Sequence, residues 1–237
     1  MLLDLWTRAT GAQPPLSWQV SLLLGALALG VTWSPVGYRV VRHLVTLVHE
    51  AGHATVAALV GRRLTGIRLH SDTSGVTVSR GRPRGPGMVA TVLAGYPAPA
   101  LMGLAGALVL GHGYAAGLLW GLVLLCALML LLVRNLYGWS VLLVTGGAVG
   151  VLSWTASGEV VSGAAYLVVW ALLLAAPRAV VELQRERRRR GRGGSDADQL
   201  ARLTGTPATL WVGLFWLVCV AALVVGACEL VLPSGVV

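Results

Sequence analysis

The chain has 237 residues, of which 56% are hydrophobic and only 11% charged. A soluble domain carries about a quarter charged residues, so an ordinary water-soluble globule is excluded and long apolar runs of bilayer-spanning length imply a polytopic membrane protein. The net charge of +9 comes from 18 basic residues, all arginine and clustered between those runs, which points to anionic lipid at one membrane face and not to nucleic acid.

In chain order, Arg8 precedes an apolar run at about 17–34 that lacks a small-residue cleavage site, the pattern of a retained first span. Further runs follow at 40–60, 88–111, 113–134, 136–153, 160–177 and 207–230, most near the ~20 residues a helix needs to cross a bilayer. The expected fold is therefore an all-α polytopic membrane protein of about seven transmembrane helices, forming one integral membrane domain over 1–237. Counting arginines under this parity puts 16 of them on one face and only Arg39 and Arg42 on the other. Basic residues near span ends stay in the cytoplasm, so the N-terminus is expected there and the C-terminus outside. The absence of lysine and the single phenylalanine, Phe215, fit a GC-rich coding bias and hence a bacterial cell membrane.

Two segments depart from the helical pattern. Within 64–87, Ile67, Leu69, Val76 and Val78 alternate with polar residues around a Ser-Asp-Thr-Ser-Gly turn, which predicts a small β-hairpin after the second helix. Residues 178–206 continue a charged helix through an arginine run, break at Gly-Arg-Gly-Gly and enter a short helix, forming a basic cytoplasmic loop. Cys126, Cys219 and Cys228 all sit in apolar runs without a CxxC spacing, so they read as small buried hydrophobes.

His49-Glu50-Ala51-Gly52-His53 carries the chemistry. Residues four apart share a helix face, so both imidazoles can meet one zinc ion while Glu50 reaches a water beside it. With five His and five Glu in the chain, chance supplies about 0.002 copies of HExxH. Two histidines and a carboxylate in hydrocarbon are costly unless they serve a function.

LVHEAGHATVAALVGRRL at 47–64 resembles the first catalytic helix of the site-2 protease family of intramembrane zinc metallopeptidases, in particular its short bacterial branch without a PDZ domain. The similarity extends through the SGVT hairpin, AGYPAPALMGLAGA at 94–107, RNLYGW at 134–139 and SDADQLARLT at 195–204. It implies His49 and His53 as zinc ligands, Glu50 as general base and membrane proteins as substrates. The family's later Asp-Gly motif is missing: Leu143-Val144-Thr145-Gly146-Gly147 stands in its place.

The third ligand must then come from elsewhere. Of nine acidic residues, most lie in surface contexts, beside arginines or towards the opposite face. Asp196 is preferred because its SDA triplet resembles one ahead of the short branch's last span; Asp198 and Asn135 remain alternatives, and Asp196 would otherwise be a helix cap. Asn135 is also a candidate amide donor to the oxyanion of peptide hydrolysis. AGYPAPALMGLAGA reads as a packing segment with Gly95, Gly103 and Gly106 at helical spacing and prolines that kink the span. The hairpin reads either as an edge that pairs with an unwound substrate or as a lipid-surface loop. The expected function is zinc-dependent cleavage of peptide bonds in or near transmembrane segments. The alternative is a proteolytically inactive scaffold or chaperone; a metal transporter would need polar residues on more spans. Substrate, regulators and oligomeric state are not encoded legibly.

Overall fold

The computed structural model describes residues 2–190 and 193–232, and each predicted apolar run is helical in it. Helices α1 (Leu2–Thr10), α2 (Trp18–Trp33) and α3 (Pro35–Leu59) precede a hairpin of β1 (Arg63–Leu69) and β2 (Gly75–Arg80). Then come α4 (Pro86–Leu93), α5 (Pro97–Gly111), α6 (Ala115–Leu132), α7 (Leu136–Thr155), α8 (Gly158–Arg190), α9 (Asp196–Thr204) and α10 (Ala208–Val231). Arg192 of the basic run and the tail 233–237 lie outside the described residues.

Among the described residues, helix length and composition give four to six candidate crossings where the sequence runs numbered seven. Helices α6, α7, α8 and α10 are each long and apolar enough to cross a membrane, and two bent pairs, α2–α3 and α4–α5, each count as one further span at most. The sequence count separated α2 from α3. Ser34 accepts a hydrogen bond from Gly37 N and Pro35 opens α3, a cap and first-turn pair that starts a new helix. The chain turns by 100° there. Helix α3 carries Arg39, Arg42, His43, His49, Glu50 and His53, too many polar groups for a lipid-facing crossing.

Contacts along α8 fix what lies at each end of the bundle. Leu16 N donates to the Tyr166 hydroxyl at 3.2 Å, Trp170 Nε1 to Ser21 Oγ at 3.3 Å, and Arg178 to Thr32 O, so α2 runs parallel to α8. Gln13 N donates to Gly113 O at 2.7 Å, placing the start of α2 beside the α5–α6 turn. Leu230 belongs to the same apolar cluster as Leu110 and Ala115, so α10 also ends there. At the opposite end, Arg42 lies 3.6 Å from Glu182, which also contacts Arg178. Arg39 and Arg42 therefore join the main arginine group, and α1, which bears Arg8, sits at the far end against α6. This spatial grouping of the arginines differs from the expected 16-to-2 division.

The hairpin forms as predicted, antiparallel from Arg63↔Arg80 to Leu69↔Gly75, with an irregularity between Leu64 and Gly66. Its second neighbour was not predicted. Val133 makes a parallel bridge to Ile67, and Arg134 N donates to Ile67 O at 2.9 Å, so the link between α6 and α7 occupies the outer edge of β1. Gly103 and Gly106 bring α5 against Leu173 and Val169 of α8, as the small-residue spacing predicted.

Candidate metal centre

The bend between α4 and α5 explains how the histidine helix acquires its partners. These helices meet at 63° across Ala94–Tyr96, before Pro97 and Pro99. Carbonyls in the last turn of a helix have no partner within it. The Thr91 carbonyl, in that turn of α4, accepts from His53 Nδ1 at 2.7 Å. A ring that donates through Nδ1 presents its Nε2 lone pair on the other side, which is the orientation a metal requires. His53 and Glu50 are 8% and 3% exposed, so neither is solvated in the ordinary way.

Asp196 closes the group. His49 Nε2 and His53 Nε2 are 3.1 Å apart, and Asp196 Oδ2 lies 3.3 and 3.2 Å from them. Nitrogen and oxygen ligands about 2.0–2.1 Å from a tetrahedral zinc ion are separated by about 3.3–3.4 Å, so the triangle has the size of one tetrahedral face. Asp196 Oδ2 is also buried without an aligned hydrogen-bond partner. A sealed-off carboxylate oxygen is costly unless a cation meets it, and these three residues fit a metal ion. Burial pushes the Asp196 carboxyl up, but its contacts with both imidazoles outweigh burial and hold it below the ordinary carboxylate range.

Helix α9 delivers Asp196 because its other residues are anchored. Ala197 and Leu200, three apart, are fully buried among Val180, Phe215 and Cys219. Asp198 is not a ligand: it accepts from Arg187 Nε at 3.0 Å and from Ser195 Oγ at 2.7 Å, while Ser195 Oγ caps the Asp198 N–H. Burial pushes the Asp198 carboxyl up, but Ser195, Arg187 and the Gly193 N–H outweigh it and bring it down to about 2. A group depressed from about 3.9 in the unfolded chain stabilises the fold fully above that pH and loses its contribution as pH falls towards about 2. Pepsin should accordingly leave 193–204 intact near pH 4 and cut it near pH 2, with cleavage products read by mass spectrometry; equal cutting at both would contradict the anchor.

Glu50 is held from the hairpin. Thr77 Oγ1 of β2 donates to Glu50 Oε2, and Gly75 lies so close that a Cβ there would stand 2.6 Å from Glu50 Oε1. Glu50, His49 and Asp196 line one cavity of about 390 Å³ with Thr46, Tyr96 and Arg42. That volume lies within the range of small-molecule sites.

The structure thus brings His49, Glu50, His53 and Asp196 together and leaves Asn135 outside the cavity lining. Asn135 Nδ2 donates to Leu69 O at 2.6 Å and its Oδ1 accepts from Leu69 N at 3.2 Å, so both ends of the amide continue the β1 edge. That engagement differs from the expected place as an oxyanion donor: the side chain substitutes for a strand backbone.

Gly95 was read as a packing glycine and is part of the site. A Cβ there would overlap the His53 ring and approach His49 Cε1 to 2.6 Å. Gly95→Ala should therefore lower metal occupancy at least about tenfold, by analogy with disrupted outer-shell contacts, measured as zinc per protein by mass spectrometry; full occupancy would show that the rings yield. Thr77 and Arg187 were likewise invisible in sequence, where a threonine in a strand and one arginine among many carry no mark.

Residues 22–226 match the family model described as Peptidase M50B-like. Comparison with curated proteins and with solved structures returns no match.

Proposed function

The chain belongs to the Peptidase M50B-like family, and from that premise we propose that it is a zinc-dependent protease that hydrolyses peptide bonds in or near transmembrane segments of other membrane proteins. The observation that carries the reading is the triangle of His49, His53 and Asp196 beside Glu50 in one cavity. His49, His53 and Asp196 would hold the ion, whose chemistry is to acidify a water and polarise a carbonyl.

The chain's own groups supply the rest. Glu50 accepts the proton from the attacking water and returns it to the departing amine. Thr77 holds one oxygen of the Glu50 carboxylate, and Thr91 fixes the His53 tautomer. With the outer edge of β1 occupied by 133–135, the edge offered to an extended substrate segment is that of β2, which carries Ser74 and Gly75 into the cavity wall. Extension is needed because a helical peptide bond is shielded by its own hydrogen bonds.

Orientation follows from the arginines. With their end of the bundle in the cytoplasm, α1 and the end of α10 are extracytoplasmic and the reacting groups lie towards the cytoplasmic leaflet. The experiment that tests the function is cleavage of a reconstituted single-span substrate by purified protein with and without a chelator. Cleavage that a chelator stops and zinc restores supports the proposal; cleavage indifferent to chelation overturns it.

A further inference from the structure

Addition of water to a peptide carbonyl moves the C=O π pair onto oxygen, and donors placed for that charge are worth several kcal/mol in a dry site. Asn135 is engaged elsewhere, and so are most other side-chain donors of the cavity wall. Thr46 Oγ1 donates to Thr73 O at 2.7 Å, Ser195 Oγ to Asp198 at 2.7 Å, and Arg187 is paired with Asp198 at 2.9 Å. Arg42 forms a longer ion pair with Glu182, at 3.6 Å, and no ring or hydrogen-bond contact ties it to the histidine pair. Tyr96 differs from all of these.

Its ring stands edge-on to His49, with centroids 4.8 Å apart at 85°, and stacks on the buried Phe215 at 5.2 Å and 21°. It directly follows Gly95, the residue pressed against both imidazoles, and precedes Pro97 at the start of α5. Two ring contacts hold the phenol in one place. Tyr96 lines the cavity, and its hydroxyl is neither among the sealed polar atoms nor hydrogen-bonded to any described residue. A rigid phenol with an open hydroxyl beside the histidine pair is preorganised to donate.

We propose that Tyr96 is a catalytic residue whose hydroxyl donates a hydrogen bond to the substrate carbonyl oxygen as that oxygen becomes negative. This rests on the peptidase reading above. In the step, the water oxygen bonds to the carbonyl carbon and the water proton passes to Glu50. The π pair moves to the carbonyl oxygen, where the Tyr96 O–H meets it without giving up its proton. When that pair returns, the C–N bond breaks and the amine leaves with the proton held by Glu50. Tyr96 ends as it began.

Tyr96→Phe keeps both ring contacts and removes only the hydroxyl. Its zinc content and unfolding temperature should equal those of the wild type. Its kcat on a reconstituted transmembrane substrate should fall about 10²–10³-fold with KM nearly unchanged. A peptide phosphinate, whose tetrahedral P–O group resembles the adduct, should bind at least about tenfold more weakly, by calorimetry on the zinc-loaded protein. Equal kcat and equal phosphinate affinity in the two proteins overturn the assignment while leaving the peptidase reading intact, and so does a Tyr96→Phe protein that loses its zinc. Wild-type protein that cleaves nothing and binds no phosphinate overturns the peptidase reading, and this assignment with it.

Discussion

Glu50→Gln leaves the metal bound and stops cleavage. The substitution keeps the size of the side chain and an oxygen for the Thr77 hydroxyl, so the hairpin keeps its hold on α3. What disappears is the group that takes a proton from water, and general-base catalysis contributes about 10²–10⁴-fold in rate. None of the three clustered ligand atoms belongs to Glu50, so zinc per protein should stay at the wild-type value. Turnover of a reconstituted substrate should fall by at least about a hundredfold. Undiminished cleavage would remove Glu50 from the mechanism, and loss of zinc would mean that it had been acting as a ligand.

Asp196→Ala has the opposite signature: the protein stays folded and loses its metal. Two imidazoles remain, but the cluster loses its only carboxylate, and affinity should fall by more than about a hundredfold, beyond what outer-shell changes cost. Because α9 is anchored through Ala197, Leu200 and Asp198, protection of its amides from hydrogen exchange should be unchanged. Asp198→Ala is the informative contrast. It leaves Arg187, whose side chain is 8% exposed, with Gln184 but without its carboxylate, a change that costs roughly 3–5 kcal/mol for a buried pair. There the α9 amides should lose protection first and the metal second. Wild-type protein without stoichiometric zinc would favour the inactive scaffold over the protease.

The histidine pair was legible in sequence because its geometry is local: four residues of helix bring two rings to one face. Asp196 is 143 residues beyond His53, and only the scarcity of carboxylates and a short resemblance marked it. That preference over Asp198 gains its physical reason only from the fold, in which Arg187 already occupies the latter. Tyr96, Gly95 and Thr77 were hidden for a different reason. Their roles come from the 63° bend and from the hairpin lying against α3, which are tertiary facts without a periodic trace in the chain. The Ser34-Pro35 helix start was legible, and the two runs it separates are two helices, but the 100° turn between them left no trace in the sequence.

The right-angled turn into α3 also decides how far a reactant must travel. This helix crosses α8 near Ala175, Ala179 and Glu182, where the lipophilic stretch of α8 gives way to arginine. On the proposed peptidase reading, a polypeptide bound at this crossing would meet the reacting groups beside the arginine-rich end of α8 and not beside its apolar middle. A target helix would then need to fray at one tip without breaking in the middle.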